Sequence, residues 1–352
     1  MDTFVDPNSL VITPQILKAI SEVDEFKGAW KLLSKLTPER LKALKKVATI
    51  ESIGSSTRIE GAHLSDSQIA HLLSTLESRS LQTRDEQEVA GYAFVCEQIC
   101  DAYTSIPLTE NSIKQLHQQL LQFADKDVRH RGEYKKIPIR IEAFDSAGKS
   151  IGILFETTSP LETPIKMRKL VEWTRAAFKT QALHPLIIIG IFVVLFLAIH
   201  PFQDGNGRLS RLLTTLLLLK HGYLYTAYSS LESIIEKNKE AYYLALQQTQ
   251  KSWQSSSPNW LPWLHFFCEC LQRQKKHLEI KMQNEALIGS RLPKFGEQIL
   301  KLTRAQGQLT IGQITALTKG NRNTLKKSLS ELVQRGLLVQ RGSGKATYYS
   351  SL

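Results

Sequence analysis

Residues 200–211 read "HPFQDGNGRLSR", twelve residues of polar chemistry set between two greasy runs, "PLIIIGIFVVLFLAI" at 185–199 and "LLTTLLLL" at 212–219. The runs predict two buried helices. The first is apolar on every side, and such a helix belongs inside a core. At 15 residues it falls short of the roughly 17–25 that a membrane-spanning helix needs. Gly190 interrupts it, and His184 and His200 flank it. A loop joining two core helices has no structural need for a histidine, a carboxylate and two arginines, so these residues point to chemistry.

Gly205, Asn206 and Gly207 can turn successive backbone N–H groups toward one point. The helix that follows aims its positive end the same way, which makes an anion site suited to a phosphate chain. Arg208 and Arg211, three apart and expected on the first turn, can reach the same ligand, and guanidinium forks match phosphate geometry. Asp204 offers a hard oxygen to Mg²⁺, which binds through one or two carboxylates plus phosphates. His200 has the chemistry of a general base. Together these are the parts for moving a phosphoryl or nucleotidyl group.

The rest of the chain reads as mostly helical. An extended arm and helices fill the first fifty residues, with a Thr37-Pro38 helix start. "SDSQIAHLLSTL", "DEQEVAGYAFVCEQICDAYTSI" and "TENSIKQLHQQLLQF" continue the pattern, with Thr109 as a cap. At 137–158 β-branched alternation around Asp145-Ser146-Ala147-Gly148 predicts a β-hairpin. Helices resume through "PNWLPWLHFFCECLQRQKKHLEI", whose aromatics are expected in the core. Residues 290–352 then run helix, short strand, helix, turn, longer helix, strand, glycine tip and strand, the order of a winged helix. The expected domains are a helical region at 1–110, a core at 111–275 and the winged helix at 290–352.

The 352 residues are 42% hydrophobic and 22% charged, ordinary for a soluble protein. The N-terminus lacks a basic segment followed by an apolar one, so a cytoplasmic location is expected, with no membrane contact. Four cysteines give neither a disulfide framework nor zinc spacing. Charge is uneven: Leu271–Leu352 holds 15 Lys/Arg against 4 Glu and no Asp, nearly all of the chain's net +12. Such asymmetry favours an anionic partner such as nucleic acid.

The polar stretch resembles the Fic family signature, H-x-F-x-[DE]-G-N-G-R-x-x-R, at every fixed position: His200, Phe202, Asp204, Gly205, Asn206, Gly207, Arg208 and Arg211. "LHQQLL…RGEYKK" and "SPLETPIKMRKLVEW" look like the family's segments before and after its hairpin flap. The resemblance covers about residues 50 to 270. It implies a helical Fic fold with a flap, and transfer of AMP from ATP to a Tyr, Thr or Ser hydroxyl of a target protein. His200 would deprotonate the hydroxyl and Asp204 would hold Mg²⁺. Asn206 and the loop amides of Gly205 and Gly207 would bind the α-phosphate, Arg208 the β-phosphate region and Arg211 the γ-phosphate. Phe202 would anchor the loop, and the flap would align the target by strand addition.

Upstream, "GSSTRIEG" at 54–61 places Ser56 and Glu60 on one helical face, with Gly61 able to end the helix. The pattern resembles the family's inhibitory motif, [ST]-x-x-x-E-[GN]. Glu60 would then pair with Arg211 and fill the γ-phosphate space, with self-modification once it is released. Alternatives are another donor (UTP or CDP-choline), AMP removal with Glu60 orienting a water, or a DNA-binding regulator that acts through the winged helix. In that last reading Arg322, Lys326 and Lys327 lie on the recognition helix and Arg341 and Lys345 on the wing. A homodimer is also compatible with the sequence.

Overall fold

The computed structural model describes residues 4–7, 10–33, 38–76, 80–144, 150–255, 257–291, 294–318, 320–334, 337–342 and 347–351. Contacts divide the chain into two units, Met1–Leu278 and Glu279–Leu352.

The first unit is helical apart from one hairpin. Its elements are α1 (Pro14–Leu33), α2 (Pro38–Ile59), α3 (Asp66–Thr75), α4 (Arg84–Ala102) and α5 (Glu110–Leu120), followed by strands β1 (Arg140–Phe144) and β2 (Ser150–Glu156). Then come α6 (Thr163–Thr180), α7 (Pro185–Ile199), α8 (Asn206–Lys220), α9 (Leu231–Lys237), α10 (Lys239–Gln250) and α11 (Leu261–Arg291), inside which the division between units falls. Local signals start several helices as expected. Ser65 and Thr83 form capping boxes with Gln68 and Glu86, and Thr109 caps α5 through the Ser112 N–H. Thr37 of the Thr-Pro start lies outside the described residues.

α7 is the centre of this unit. Every residue from Leu186 to Ile199 is buried, which is what an all-round apolar helix requires. α6 and α8 pack against it, and α4 covers both α8 and α2. On another side Trp263 of α11 donates its indole N–H to the Gly190 carbonyl at 2.6 Å. A Cβ at Gly190 would press on Leu264 and Phe267, so the interruption noted in the sequence is a place of close helix approach. Trp260, Trp263, Phe266 and Phe267 are buried as expected. No described helix is long and apolar enough to cross a membrane. All four cysteines are free, three buried and Cys100 half-buried.

β1 and β2 pair antiparallel, from Arg140 opposite Glu156 to Phe144 opposite Ser150, with register irregularities after Ile141 and Ala143. The predicted turn, Asp145–Gly148, lies outside the described residues.

The second unit continues with α12 (Lys294–Gln306), β3 (Gln308–Thr310), α13 (Ile311–Thr318), α14 (Arg322–Gln334), β4 (Leu338–Arg341) and β5 (Tyr348–Ser351). Its sheet is antiparallel with order β3-β5-β4. It has its own core, including Ile299, Leu309, Ile314, Leu325, Leu329 and Tyr349.

Candidate active site

The polar loop is built where α7 stops. His200 caps α7 in the left-handed region (φ 52, ψ 63), with its N–H donating to the Phe196 carbonyl at 2.9 Å. Pro201 then bars continuation of the helix. Phe202 turns fully inward and stacks on the His117 ring, centroids 3.8 Å apart. Asn206 closes the loop on itself: its Oδ1 accepts from the Phe202 N–H at 2.9 Å and its Nδ2 donates to the Phe202 carbonyl at 2.7 Å. Its side chain, 2% exposed, therefore shapes the loop, and its backbone N–H is one of the uncapped amides at the start of α8. Gly205, at φ 78, is the N-cap of α8, where no side chain caps the helix start. The first amides of that helix are those from which the sequence predicts an anion cradle, and no side chain occupies them as a cap. Arg208 lies in the first turn of α8, but Arg211, the sixth residue, lies in the second, because the helix begins at Asn206.

Two residues that sequence reasoning missed hold this loop from below. Lys135 grips both sides of His200: its backbone N–H donates to the Pro201 carbonyl at 2.8 Å and its ammonium to the Ile199 carbonyl at 2.9 Å. The ammonium also donates to Thr157 Oγ1, which itself donates to the Ile139 carbonyl, so the foot of the hairpin joins the same clasp. Burial pushes Lys135 down to about 8. His117, wholly buried, donates from Nε2 to the Asp204 carbonyl at 2.9 Å and accepts the Gly132 N–H at Nδ1 at 2.9 Å. Both bonds need a neutral ring, and burial lowers its pKa to about 4.

The unfolded ring titrates near 6.5, so the stabilisation from neutral His117 is complete above about pH 6.5 and is lost as pH falls toward about 4. At full protonation the loss is on the order of 3 kcal/mol. Urea unfolding of wild type should weaken from pH 7 to pH 5 more steeply than that of His117→Gln. Equal slopes would show that burial leaves the pKa of this ring unshifted.

His200 is half-buried. A carbonyl can only accept, so its contact with Leu197 O at 3.3 Å makes Nδ1 the donor and leaves the Nε2 lone pair free. Burial first, then the Lys135 charge, lower its pKa to about 4, so it is neutral at pH 7 and ready to take a proton.

Asp204 sits in a box of alternating charge. Its Oδ2 accepts from Arg208 Nη2 and Arg84 Nη2, both at 3.0 Å, while Glu88 accepts from Arg84 Nε at 2.8 Å and lies 3.0 Å from Arg208 Nη1. Arg208 is 2% exposed, and a guanidinium so buried requires such partners. Burial alone would raise the Asp204 carboxyl. Arg208, the Gly205 N–H and Arg84 outweigh it and hold the group below its ordinary value. No cluster of three or more His, Cys, Asp or Glu suited to a metal occurs among the described residues. An ionised, partly exposed single carboxylate fits a Mg²⁺ whose remaining ligands are phosphate and water oxygens.

Above the loop lies the end of α2. The Gly61 N–H bonds the Arg58 carbonyl and the Ala62 N–H the Thr57 carbonyl, both at 3.1 Å, with Gly61 at φ 103. This Schellman cap leaves Glu60 at the helix terminus. Arg58 fastens the same end to Glu236 of α9 at 2.6 Å and to Asp66 of α3 at 2.9 Å. Glu60 reaches across to Arg211, whose Nη2 donates to Oε1 at 2.7 Å. Arg211 also donates from Nε to Ser56 Oγ at 2.8 Å and from Nη2 to the Ser56 carbonyl at 2.9 Å. A Cβ at Gly207 would collide with the Glu60 carboxylate, which therefore lies directly on the loop. Ser56, Glu60, Gly207 and Arg211 thus meet at one point, although Ser56 and Arg211 lie 155 residues apart along the chain.

Comparison with known proteins bears on this arrangement. Residues 107–218 match the model of the Fic/DOC family. The protein adenylyltransferase Fic of Drosophila willistoni is 24% identical over 275 residues, 76% of this chain and 49% of that protein. The corresponding protein of Drosophila melanogaster is 27% identical over 207 residues, 58% of this chain and 37% of its own length. The chain thus spans about half, or less, of these curated relatives. A Fic family protein from Desulfovibrio desulfuricans G20 shares the fold with a TM-score of 0.64 at 22% identity, covering 99% of this chain and 98% of that one. A Fic-domain signalling protein from Bacteroides thetaiotaomicron aligns with a TM-score of 0.59 at 27% identity, covering 72% and 94%. Residues 107–218 of this chain are a Fic domain, of the Fic/DOC family.

Proposed function

We propose that the chain is a protein adenylyltransferase that moves AMP from ATP to a hydroxyl side chain and is held off by Glu60. The observation that carries the proposal is the Glu60–Arg211 pair, 2.7 Å long, lying over the uncapped start of α8. A carboxylate in that position satisfies the arginine that a terminal phosphate would need. The curated relatives named protein adenylyltransferase supply the choice of donor.

In the reaction, the target hydroxyl oxygen bonds to the α-phosphorus and the bond to the bridging oxygen of pyrophosphate breaks. Nε2 of His200 takes the hydroxyl proton. The first amides of α8 face the α-phosphate, where charge develops in the transition state. Mg²⁺, when bound, neutralises phosphate charge. Asp204 would hold it, with Arg84 and Arg208 keeping that carboxylate ionised. Arg211 takes the γ-phosphate once Glu60 leaves, and its Ser56 contacts keep it oriented. Lys135 and His117 fix the loop so that His200 and the amides converge on one centre.

The test is incorporation of label from α-labelled ATP, ADP and UTP, and from choline-labelled CDP-choline, into lysate proteins and into the chain itself. ATP should be the preferred donor. Arg211→Ala should weaken ATP by about 10–100-fold, the equivalent of one charge-assisted bond of roughly 1.5–3 kcal/mol, and leave ADP nearly unaffected. Equal use of ADP and ATP by Glu60→Gly, in which Arg211 is released, would remove the role given to Arg211. Preference for UTP or CDP-choline would overturn the choice of donor.

A further inference from the structure

The second unit carries a surface that AMP transfer leaves unused. α14 buries Leu325, Leu329 and Leu332 in its core. Away from that stripe Arg322, Asn323, Lys326, Lys327 and Ser330 are all exposed. At 3.6 residues per turn these five occupy about 140° of the helix circumference, one continuous face. No acidic residue lies on it. Glu331, at its margin, is half-buried and already engaged. No large apolar side chain of α14 is exposed among the described residues. Arg341 at the end of β4 is exposed as well, and Lys345 lies outside the described residues.

The order of residues on this face is informative. The arginine and asparagine occupy the first turn of α14 and the lysines follow one turn later. An arginine fork matches the O6/N7 edge of guanine and an asparagine amide matches the N6/N7 edge of adenine, while lysine suits phosphate. In a helix–turn–helix the second helix places its N-terminal residues on base edges in the major groove. α13 and α14, joined by residues 319–321, form such a consecutive pair. Protein-binding surfaces concentrate aromatic side chains and exclude charge at their centre, and this face does the reverse. From Glu279 to Leu352 there are 12 Lys/Arg against 4 Glu, so the charge suits a polyanion.

We propose that the unit Glu279–Leu352 binds double-stranded DNA, with Arg322 and Asn323 of α14 on base edges and Lys326, Lys327 and Arg341 on phosphates. This makes the chain a DNA-binding protein as well as a bearer of a Fic domain.

The test is fluorescence anisotropy of the full chain with a random-sequence duplex several helical turns long, between about 50 and about 200 mM salt. Each phosphate contact contributes about −0.9 to the slope of log K against log salt, so the three assigned residues predict a slope near −3. The double variant Lys326→Gln/Lys327→Gln should flatten it by roughly 2 and weaken all sequences alike. Arg341→Gln, on a different element, should flatten it by about 1, which a local defect in α14 cannot imitate. Asn323→Ala removes no charge. It should keep the slope and lose the adenine preference in sequences selected from a random pool. All three variants should unfold at the wild-type midpoint and keep AMP incorporation. No binding by wild type at about 50 mM salt would overturn the proposal. So would binding unchanged in the lysine double variant and Arg341→Gln, or occupation of the α14 face by a protein partner or a second copy of the chain.

Discussion

AMP transfer should fall by about 10²–10⁴-fold in His200→Ala, the usual loss for a general base, while ATP still binds within a few-fold of wild type. In the proposed reaction the histidine acts on the incoming hydroxyl, and the phosphate contacts belong to α8 and Arg211. Its bond to the Leu197 carbonyl presents the Nε2 lone pair, and its low pKa keeps that lone pair available at neutral pH. Alanine also disturbs the backbone, because position 200 has φ 52, a conformation that costs an ordinary residue about 1 kcal/mol. Asparagine tolerates the left-handed region better, so His200→Asn keeps the loop and removes only the base. Single-turnover incorporation and equilibrium nucleotide binding measure the two quantities separately. Near-normal transfer by both variants would take His200 out of the mechanism.

Glu60→Gly should move activity in the other direction, raising AMP incorporation, self-modification included, by about 10–100-fold. That range is the worth of a charge-assisted hydrogen bond, roughly 1.5–3 kcal/mol, given up by the competing carboxylate. In wild type Glu60 occupies Arg211 and lies over Gly207, so ATP meets both a charge and an obstruction. A misplaced α-phosphate is costly, since attack must be in line with the departing pyrophosphate. Glycine also loosens the end of α2. Glu60→Gln keeps the length, removes the charge and should give a smaller rise. Labelled AMP incorporated at equal protein concentration decides between these outcomes. Equal or lower incorporation in both variants would make residues 54–61 an ordinary helix end.

Part of this site could be read in the sequence, and the reason is local density. His200, Asp204, Gly205, Arg208 and Arg211 fall within twelve residues between apolar helices, so a short window holds the chemistry. Ser56 and Glu60 share a helical face by their spacing of four, but only the resemblance to the family's inhibitory motif gives that spacing a role. The supports were not legible in the sequence. Lys135 reaches Ile199 across 64 residues, His117 reaches Asp204 across 87 and Arg84 reaches Asp204 across 120. No periodicity links such positions, because tertiary packing alone brings them together. Arg211 was placed a turn too early for a smaller reason: helix starts are fixed by capping geometry, and the left-handed Gly205 sets this one. For Asn206 the resemblance implies a phosphate ligand, and an amide can also serve as a loop brace. Only the backbone of Phe202, folded back on it, shows that its side chain is already engaged.

The two anchors on Arg211 come from successive turns of one helix, and they differ in how easily they can be lost. Glu60 hangs on the terminal turn of α2, closed by the hydrogen bonds at Gly61 and Ala62, whereas Ser56 sits one turn deeper and is wholly buried. Helix ends open at far lower free energy than the body of a domain. Fraying of that single turn would lift the carboxylate off the loop without moving the rest of α2. The guanidinium would then remain tethered by its Nε and by the Ser56 carbonyl, already aimed at the space just vacated. On the proposed function, α2 would carry both the brake, on its last turn, and the Ser56 tether that keeps Arg211 of α8 oriented, and the brake is the part that would melt first.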